Sequence, residues 1–403
     1  MNILLNLIPV VQGGGLQVAA NFIDIISENN YNHSWYILVN KRGELSNLLK
    51  KRNKLTYFEV SNSVLPRLYF EKFQVPKLIR KFKIDIIYSF GPGIINNNIP
   101  TVVRSAYSNI YYPEINFWRN WPWRKRVIAE LKDKYRLTKT IKADSIIFEN
   151  AGMRHRAIKN FGYSEMNTFF IKPSVSKFND IDFFDTNETP ENIKVIPSEA
   201  FNIIMLTSWH KNKNIDIVPY VLKNLKNRGI RNVNFIITVA SSHVYSNNLV
   251  QQAKKFKVEQ NLFLVGRIKV NEIRHLYAKS TASILLSKLE CFSSNIIEAW
   301  AYKKPLIISN EEWSKSICGE DSVIYVNRDD PDEVAEKIKI LIQNPDYYKK
   351  IVKAGYDKLQ TYNTPEEKVF KQVKILEFIH LNFLQNGKEW YTNKTITNQL
   401  CDD

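Results

Sequence analysis

The chain has 403 residues, 44% of them hydrophobic and 12% aromatic, and a formal net charge of +17. That length accommodates two domains with separate cores, and the composition excludes a disordered chain. No run approaches the roughly eighteen apolar residues of a membrane span, and the three cysteines (Cys291, Cys318 and Cys401) lack metal-ligand spacing, which suits a reducing cytosol.

The opening stretch, MNILLNLIPVVQGGG, has no basic n-region and no small-residue cleavage site, so it is expected to be a first strand and not a signal peptide. Short apolar runs then alternate with helical stretches, the pattern of a parallel sheet covered on both faces. Strands are expected at Ile3–Val10, Trp35–Val39, Tyr57–Val60, Ile84–Ser89, Pro100–Val103 and Ser145–Phe148. Gly13-Gly14-Gly15 precedes a helix expected from Leu16 to Ser27. The triplet either lets backbone amides approach a ligand or forms a tight turn; it does not have dinucleotide-motif spacing. Gly91-Pro92-Gly93 is expected to be an ordinary turn.

Asn116–Arg126, NFWRNWPWRKR, interleaves Trp118, Trp121 and Trp123 with Arg119, Arg124, Lys125 and Arg126, and leads into a basic helix expected over Val127–Ile141. Residues 1–177 hold 27 Lys and Arg against 12 Asp and Glu, a balance of +15, whereas the remainder hold 30 against 28. Such lopsidedness points to a polyanionic partner for the first half. Tryptophan with basic residues is an interfacial pattern, so an anionic membrane surface is the expected partner. The competing reading is a surface loop whose aromatics pack beneath the helix. No nucleic-acid motif accompanies the segment, so a nucleic-acid partner is not expected. Asp180-Ile181-Asp182 lies in an acidic stretch, Asn179–Ser198, that reads as a linker; no metal site is expected.

The second half repeats the alternation, with strands expected at Phe201–Leu206, Phe235–Ala240, Leu262–Val265, Ser283–Leu286, Leu306–Ile308 and Val323–Val326. After the first of these comes TSWHKNKN, where Lys211 and Lys213 at a strand end could neutralise a diphosphate, and a helix expected from Ile215. After the fourth comes Glu290–Glu298, ECFSSNIIE, opening a helix that Lys303-Lys304-Pro305 stops. In a doubly wound sheet ligands bind outside the carboxyl ends of strands, at helix N-termini whose free N–H groups favour phosphate. Two carboxylates there suit sugar and ribose hydroxyls, which donate hydrogen bonds to them. A simpler alternative makes Asn295 and Glu298 a capping box.

The stretch ILLSKLECFSSNIIEAWAYKKPLIIS resembles the E-x7-E signature of retaining glycosyltransferases of family 4, through Glu290, Phe292, Glu298, Ala299, Ala301, Pro305, Ile307 and Ser309. Cys291 stands where that family usually has glycine. Lys213-Asn214 resembles the family's K-[GN] element, although the usual arginine before it falls on Ser208 or Thr207; Phe263–Arg267 resembles its F-x-G turn. The resemblance implies an α/β GT-B fold, two Rossmann-like doubly wound domains facing a central cleft. Expected limits are 1–195 for a basic acceptor-binding domain, 196–364 for a nucleotide-sugar-binding domain, 365–385 for a helix crossing back to the first domain, and 386–403 for a polar tail.

It further implies retaining, metal-independent transfer from a UDP- or GDP-sugar, with no separate cofactor, to a glycan or polyprenyl- or lipid-linked acceptor. Surface polysaccharide synthesis, of lipopolysaccharide O-antigen or capsule, at the cytoplasmic face of the inner membrane is the expected setting. Glu298 would take the ribose hydroxyls and Glu290 the donor sugar, while Lys213 and the amides of Ser293 and Ser294 would hold the diphosphate. Phe292, Lys211, Ser208, Gly266, Gly14 and Gly15 complete the expected donor side. Arg104, in a stretch where many relatives have a histidine, joins Trp118, Trp121, Trp123, Arg124 and Arg126 on the expected acceptor or membrane side. A nucleotide-sugar epimerase and a non-catalytic polyanion-binding protein on the same fold remain the alternatives.

Overall fold

The computed structural model describes residues 1–387, apart from 12, 30, 53–54, 62, 97, 120 and 176–188. Asp180-Ile181-Asp182, Cys401 and the tail from 388 onward lie outside the described residues. The chain divides into two units, Met1–Ser174 with Asn363–Asp403, and Val175–Tyr362. This first boundary precedes the one expected at 195 because the intervening chain is tied to the second unit: Asn192 Nδ2 donates to Val265 O at 2.6 Å, and Ile193 and Ile196 are buried. The return to the first unit is pinned at Asn363, whose Nδ2 donates to Lys172 O at 3.2 Å.

The first unit is built on a seven-stranded parallel sheet of order β3-β2-β1-β4-β5-β6-β7. Its strands are β1 Asn2–Asn6, β2 Ser34–Asn40, β3 Thr56–Val60, β4 Ile86–Phe90, β5 Thr101–Ser105, β6 Ser145–Phe148 and β7 Thr168–Phe170. The central strands read as unbroken apolar runs because helices cover both faces. Helix Gly14–Glu28 places Ala19, Phe22, Ile23 and Ile26 on one stripe, packed with Ile3, Leu5 and Trp35. The last helix, Pro365–Asn386, joins the same core through Val369, Val373, Leu376 and Ile379. Burying each such side chain contributes about 1.5–3 kcal/mol. Thr364 and Glu367 form a reciprocal capping box at that helix's start, where Pro365 needs no N–H partner.

The second unit carries a six-stranded parallel sheet of order β10-β9-β8-β11-β12-β13. These strands are β8 Phe201–Met205, β9 Val233–Ile237, β10 Leu262–Leu264, β11 Ala282–Leu285, β12 Leu306–Ser309 and β13 Ile324–Val326. Chain order runs outward in opposite directions from the neighbours β8 and β11, so a crevice opens where their following loops diverge. Helix Ser294–Ala301 ends as the Lys303 backbone turns left-handed (φ 53°) and Lys304 N–H reaches back to Ala299 O at 2.8 Å. Its Trp300 packs against Gly355 of helix Pro345–Leu359: a Cβ there would lie 2.4 Å from the indole. Among the described residues, no helix is long and apolar enough to cross a membrane.

Candidate functional site

The loop after β8 and the loop after β11 are stapled together by one asparagine. Asn212 Nδ2 donates to Leu289 O at 2.8 Å and to Glu290 Oε1 at 3.2 Å, while its Oδ1 accepts from Leu289 N–H at 3.0 Å. Lys288 N–H completes the link, to Asn212 O at 2.8 Å. This staple brings the two residues expected to be catalytic into contact: Lys213 Nζ donates to Glu290 Oε1 at 2.5 Å. An ammonium carries three donors, so Lys213 can keep Glu290 and still offer N–H groups to a phosphate. His210 caps the local turn, its Nδ1 accepting from Asn212 N–H at 3.1 Å. Partial burial, with Lys213 adding to it, holds its pKa below the usual histidine value. Ser208 and Lys211 are exposed on the same loop.

Two turns farther on, Ser293 is the N-cap of helix Ser294–Ala301, but no side chain caps the helix. Its first N–H groups are thus left for a ligand or water, with the positive end of the helix dipole behind them. Asn295 is not part of a capping box; its Nδ2 donates to Leu206 O at 2.6 Å and fixes the helix start to the end of β8. That leaves Glu298 without a capping role. It lies mid-helix, and burial pushes its carboxyl up to about 7 against the opposing hydrogen bond from Ser294. Two stacked phenol rings, Tyr277 and Tyr302, have centroids 4.5 Å apart. Burial and the Glu298 charge push Tyr302 up to about 12 and raise Tyr277 as well. A carboxylate held this reluctantly gains from hydroxyl donors more than a solvated one does.

Gly266 ends the β10 strand in a left-handed turn (φ 77°) with open space around a would-be Cβ, so its glycine serves backbone conformation. Phe292 faces an aromatic contact, 6.3 Å from the Tyr362 ring. Sequence reading missed Asn212 and Arg328. Asn214, left-handed at φ 54°, donates to Arg328 O at 2.5 Å. Arg328 is 7% exposed, its Nε and Nη1 have no hydrogen-bond partner, and Asp329 Oδ1 stands 3.5 Å from Nε. Burial holds its pKa below the usual arginine value. A basic residue two positions past a strand end was the available signal.

In the first unit, Gly14 and Gly15 form the first turn of a helix that starts two residues earlier than expected, with Gly13 as N-cap at φ 72°. Arg104, expected on the acceptor or membrane side, is buried. It is 4% exposed, donates through Nε to Glu149 Oε1 at 3.1 Å, and lies over the Phe90 ring. Lys368 of the last helix bonds the same carboxylate. Burial alone would raise Glu149, but the two cations outweigh it and hold the carboxyl down at about 2. The tryptophans also separate. Trp118 donates to Asp133 and packs edge-on against Trp121, with centroids 4.7 Å apart, whereas Trp123 is 72% exposed beneath Arg124. Arg126 pairs with Glu130 at 2.6 Å.

Trp123, Val127, Leu131 and Tyr135 recur every fourth residue along helix Trp123–Ile141 and are all exposed. Leu65, Leu68, Tyr69 and Phe73 make a second exposed apolar group, in the helical stretch beginning at Val64. Lys139 and Glu71, 3.3 Å apart, join the two stretches. Among the described residues, no group of three or more His, Cys, Asp or Glu is placed to hold a metal ion.

Residues 187–358 match the family described as glycosyl transferases group 1. The O-antigen chain mannosyltransferase RfbU of Salmonella typhimurium is 24% identical over 187 residues, which are 44% of this chain and 50% of that protein. The match thus spans about half the length of that curated relative. A glycosyltransferase from Rickettsia africae superposes with a TM-score of 0.68 at 19% identity, covering 96% of this chain and 99% of its own. Anabaena HepE in complex with UDP-glucose gives 0.65 at 15%, covering 94% and 100%. The fold is that of the GT-B glycosyltransferases: two parallel-sheet, Rossmann-like α/β domains.

Proposed function

We propose that this chain is a retaining, metal-independent glycosyltransferase that moves a sugar from a UDP- or GDP-linked donor, held on the second unit, to a glycan or lipid-linked acceptor in bacterial surface-polysaccharide synthesis. The observation that carries this reading is the Lys213–Glu290 pair beside an uncapped helix start that also bears Glu298. The family match over the second unit supports the class of reaction, and the O-antigen relative supports the setting. In this reading Glu298 accepts from the ribose hydroxyls, the Ser293 and Ser294 amides with Lys213 hold the diphosphate, and Glu290 meets the donor sugar. As the bond from the anomeric carbon to the β-phosphate oxygen breaks, negative charge grows on that phosphate. Fixed N–H groups and an ammonium stabilise it without reorganising. The acceptor hydroxyl oxygen then bonds to the anomeric carbon on the face the phosphate leaves, and its proton passes to the departing phosphate oxygen.

A panel of UDP- and GDP-sugars tests the proposal with the full chain. Transfer or hydrolysis of one donor, undiminished by a chelator, is the expected result. Isomerisation without release would identify an epimerase; inertness towards every donor would identify a binding protein. Loss of activity with EDTA and recovery with manganese would overturn the metal-free scheme.

The first unit is proposed to dock on the anionic cytoplasmic face of the inner membrane. The exposed apolar stripe of helix Trp123–Ile141, flanked by Arg119, Arg124, Lys125, Lys132 and Lys134, motivates this assignment. Each basic residue near such a surface contributes about 1 kcal/mol, screened within a Debye length of about 10 Å at 0.1 M salt. Co-sedimentation with anionic vesicles is therefore expected to fall steeply as salt rises, and to fall further in Leu131→Ser. Equal binding to neutral vesicles would refute it.

A further inference from the structure

A cavity of about 370 Å³ opens in the second unit between helices Val218–Asn227 and Val244–Lys255, beside the loop after β8. That volume lies within the range of about 300–1,000 Å³ typical of small-molecule sites. Neither Lys213 nor the stretch from Glu290 to Glu298 lines it, although His210 and Lys211 of the loop after β8 do. One wall is aromatic and braced: Trp209 Nε1 donates to Ser246 Oγ at 3.2 Å, and Ser246 Oγ donates in turn to Ala240 O at 2.6 Å. The indole stacks on His243 at 5.7 Å and 19° between planes, and Tyr245 leans on it at 5.8 Å. Tyr220 adds a second phenol.

Facing these rings are Asp216, Asn248 and Gln252. Among the described residues none of the three makes a side-chain hydrogen bond, and the two amides are four residues apart on one helix face. A neutral pyranose matches that pairing of surfaces. Its C–H face packs on an aromatic ring, and its neighbouring hydroxyls bridge planar carboxylate and amide groups, donating to the former and exchanging both roles with the latter. Lys211 also lines the cavity and its charge offsets that of Asp216, so the wall as a whole suits a neutral, hydroxyl-rich ligand. We propose that this cavity binds a neutral saccharide unit, distinct from the donor sugar. That the saccharide belongs to the glycan being built rests on the transferase reading above; the chemistry of the cavity does not.

Saturation-transfer NMR on the full chain, with mannobiose, maltose and lactose as probes, tests the proposal. At least one disaccharide should give signal, persisting in the presence of saturating UDP or GDP and in Glu298→Gln. Tyr245→Ala and Asp216→Ala should each weaken that binding about tenfold or more while leaving UDP and GDP affinity unchanged. No signal from any disaccharide, displacement by uridine or guanosine, or binding indifferent to both substitutions would overturn the assignment. Donor turnover is measured separately, so a chain that binds disaccharide but turns over no donor would sink the transferase reading and leave the cavity assignment standing.

Discussion

Lys213→Ala is expected to lower kcat by about 10²–10³ while changing donor affinity little, because its ammonium matters most as charge grows on the departing phosphate. That ammonium is already paired with Glu290, at 2.5 Å. The ground state with donor bound therefore gains little from the lysine that the pair did not already have. The leaving diphosphate is where the extra N–H groups count. Among the described residues, removal of Lys213 leaves Glu290 held by Asn212 alone, so its carboxylate is expected to lose its fixed orientation. Steady-state kinetics on the preferred donor, with single-turnover measurements to separate chemistry from release, check this. A rise in KM with kcat intact would make Lys213 a ground-state clamp and contradict its assigned role.

Glu298 gives the second large effect, through pH. Burial pushes its carboxyl to about 7, so near neutrality a large share of the protein carries it protonated. Ribose hydroxyls donate best into the ionised form, so UDP or GDP affinity should rise with pH through 7 and level off above it. For one such group the change from pH 6 to pH 8 is about tenfold. The nucleotide's terminal phosphate itself titrates near about 6, so the readout is the difference between wild type and Glu298→Gln, in which this component vanishes. Stability moves the opposite way. The folded pKa is raised above the ordinary value of 4.5, so the folded state binds the proton more tightly. The associated stabilisation is complete below about 4.5 and lost as pH rises to about 7, about 3 kcal/mol at most. Glu298→Gln without nucleotide should thus denature later than wild type at pH 8. Parallel denaturation curves at pH 5 and pH 8 would deny the buried carboxyl its shifted pKa.

Much of the fold was legible because buried parallel strands read as unbroken apolar runs, and twelve of the thirteen strands among the described residues overlap the segments so marked. Thr168–Phe170 was not, because three residues offer no periodicity. The first strand was drawn too long: beyond Asn6 the apolar residues Leu7 and Ile8 remain buried, but the chain turns, with Asn6 Oδ1 accepting from Ile8 N–H. Helix Trp123–Ile141 starts four residues early because Pro122 can precede a helix and the tryptophan after it can begin one. At the site, Glu290 and Glu298 were singled out by the resemblance to the E-x7-E signature, and Lys213 by the K-[GN] element. Asn212 was invisible because its importance lies in whom it bonds, not in its type. Arg104 misled for the opposite reason: a lone arginine in a basic half looks like surface. Its carboxylate partner is 45 residues away, and the lysine that shares that partner lies 219 residues from Glu149.

The central claim is that a nucleoside diphosphate is held by the helix start at Ser293 with its ribose on Glu298, while Glu290 serves only the sugar. Calorimetric titration of UDP and GDP into the full chain, into Glu298→Gln and into Glu290→Gln tests it most directly. Charge-assisted hydrogen bonds are worth about 1.5–3 kcal/mol, so Glu298→Gln should bind the preferred nucleotide roughly tenfold to a hundredfold more weakly than wild type at pH 8. Glu290→Gln should bind it within about twofold of wild type, yet turn over the nucleotide-sugar far more slowly. Wild-type affinity in both variants, or no affinity for either nucleotide in the unaltered chain, would contradict the account.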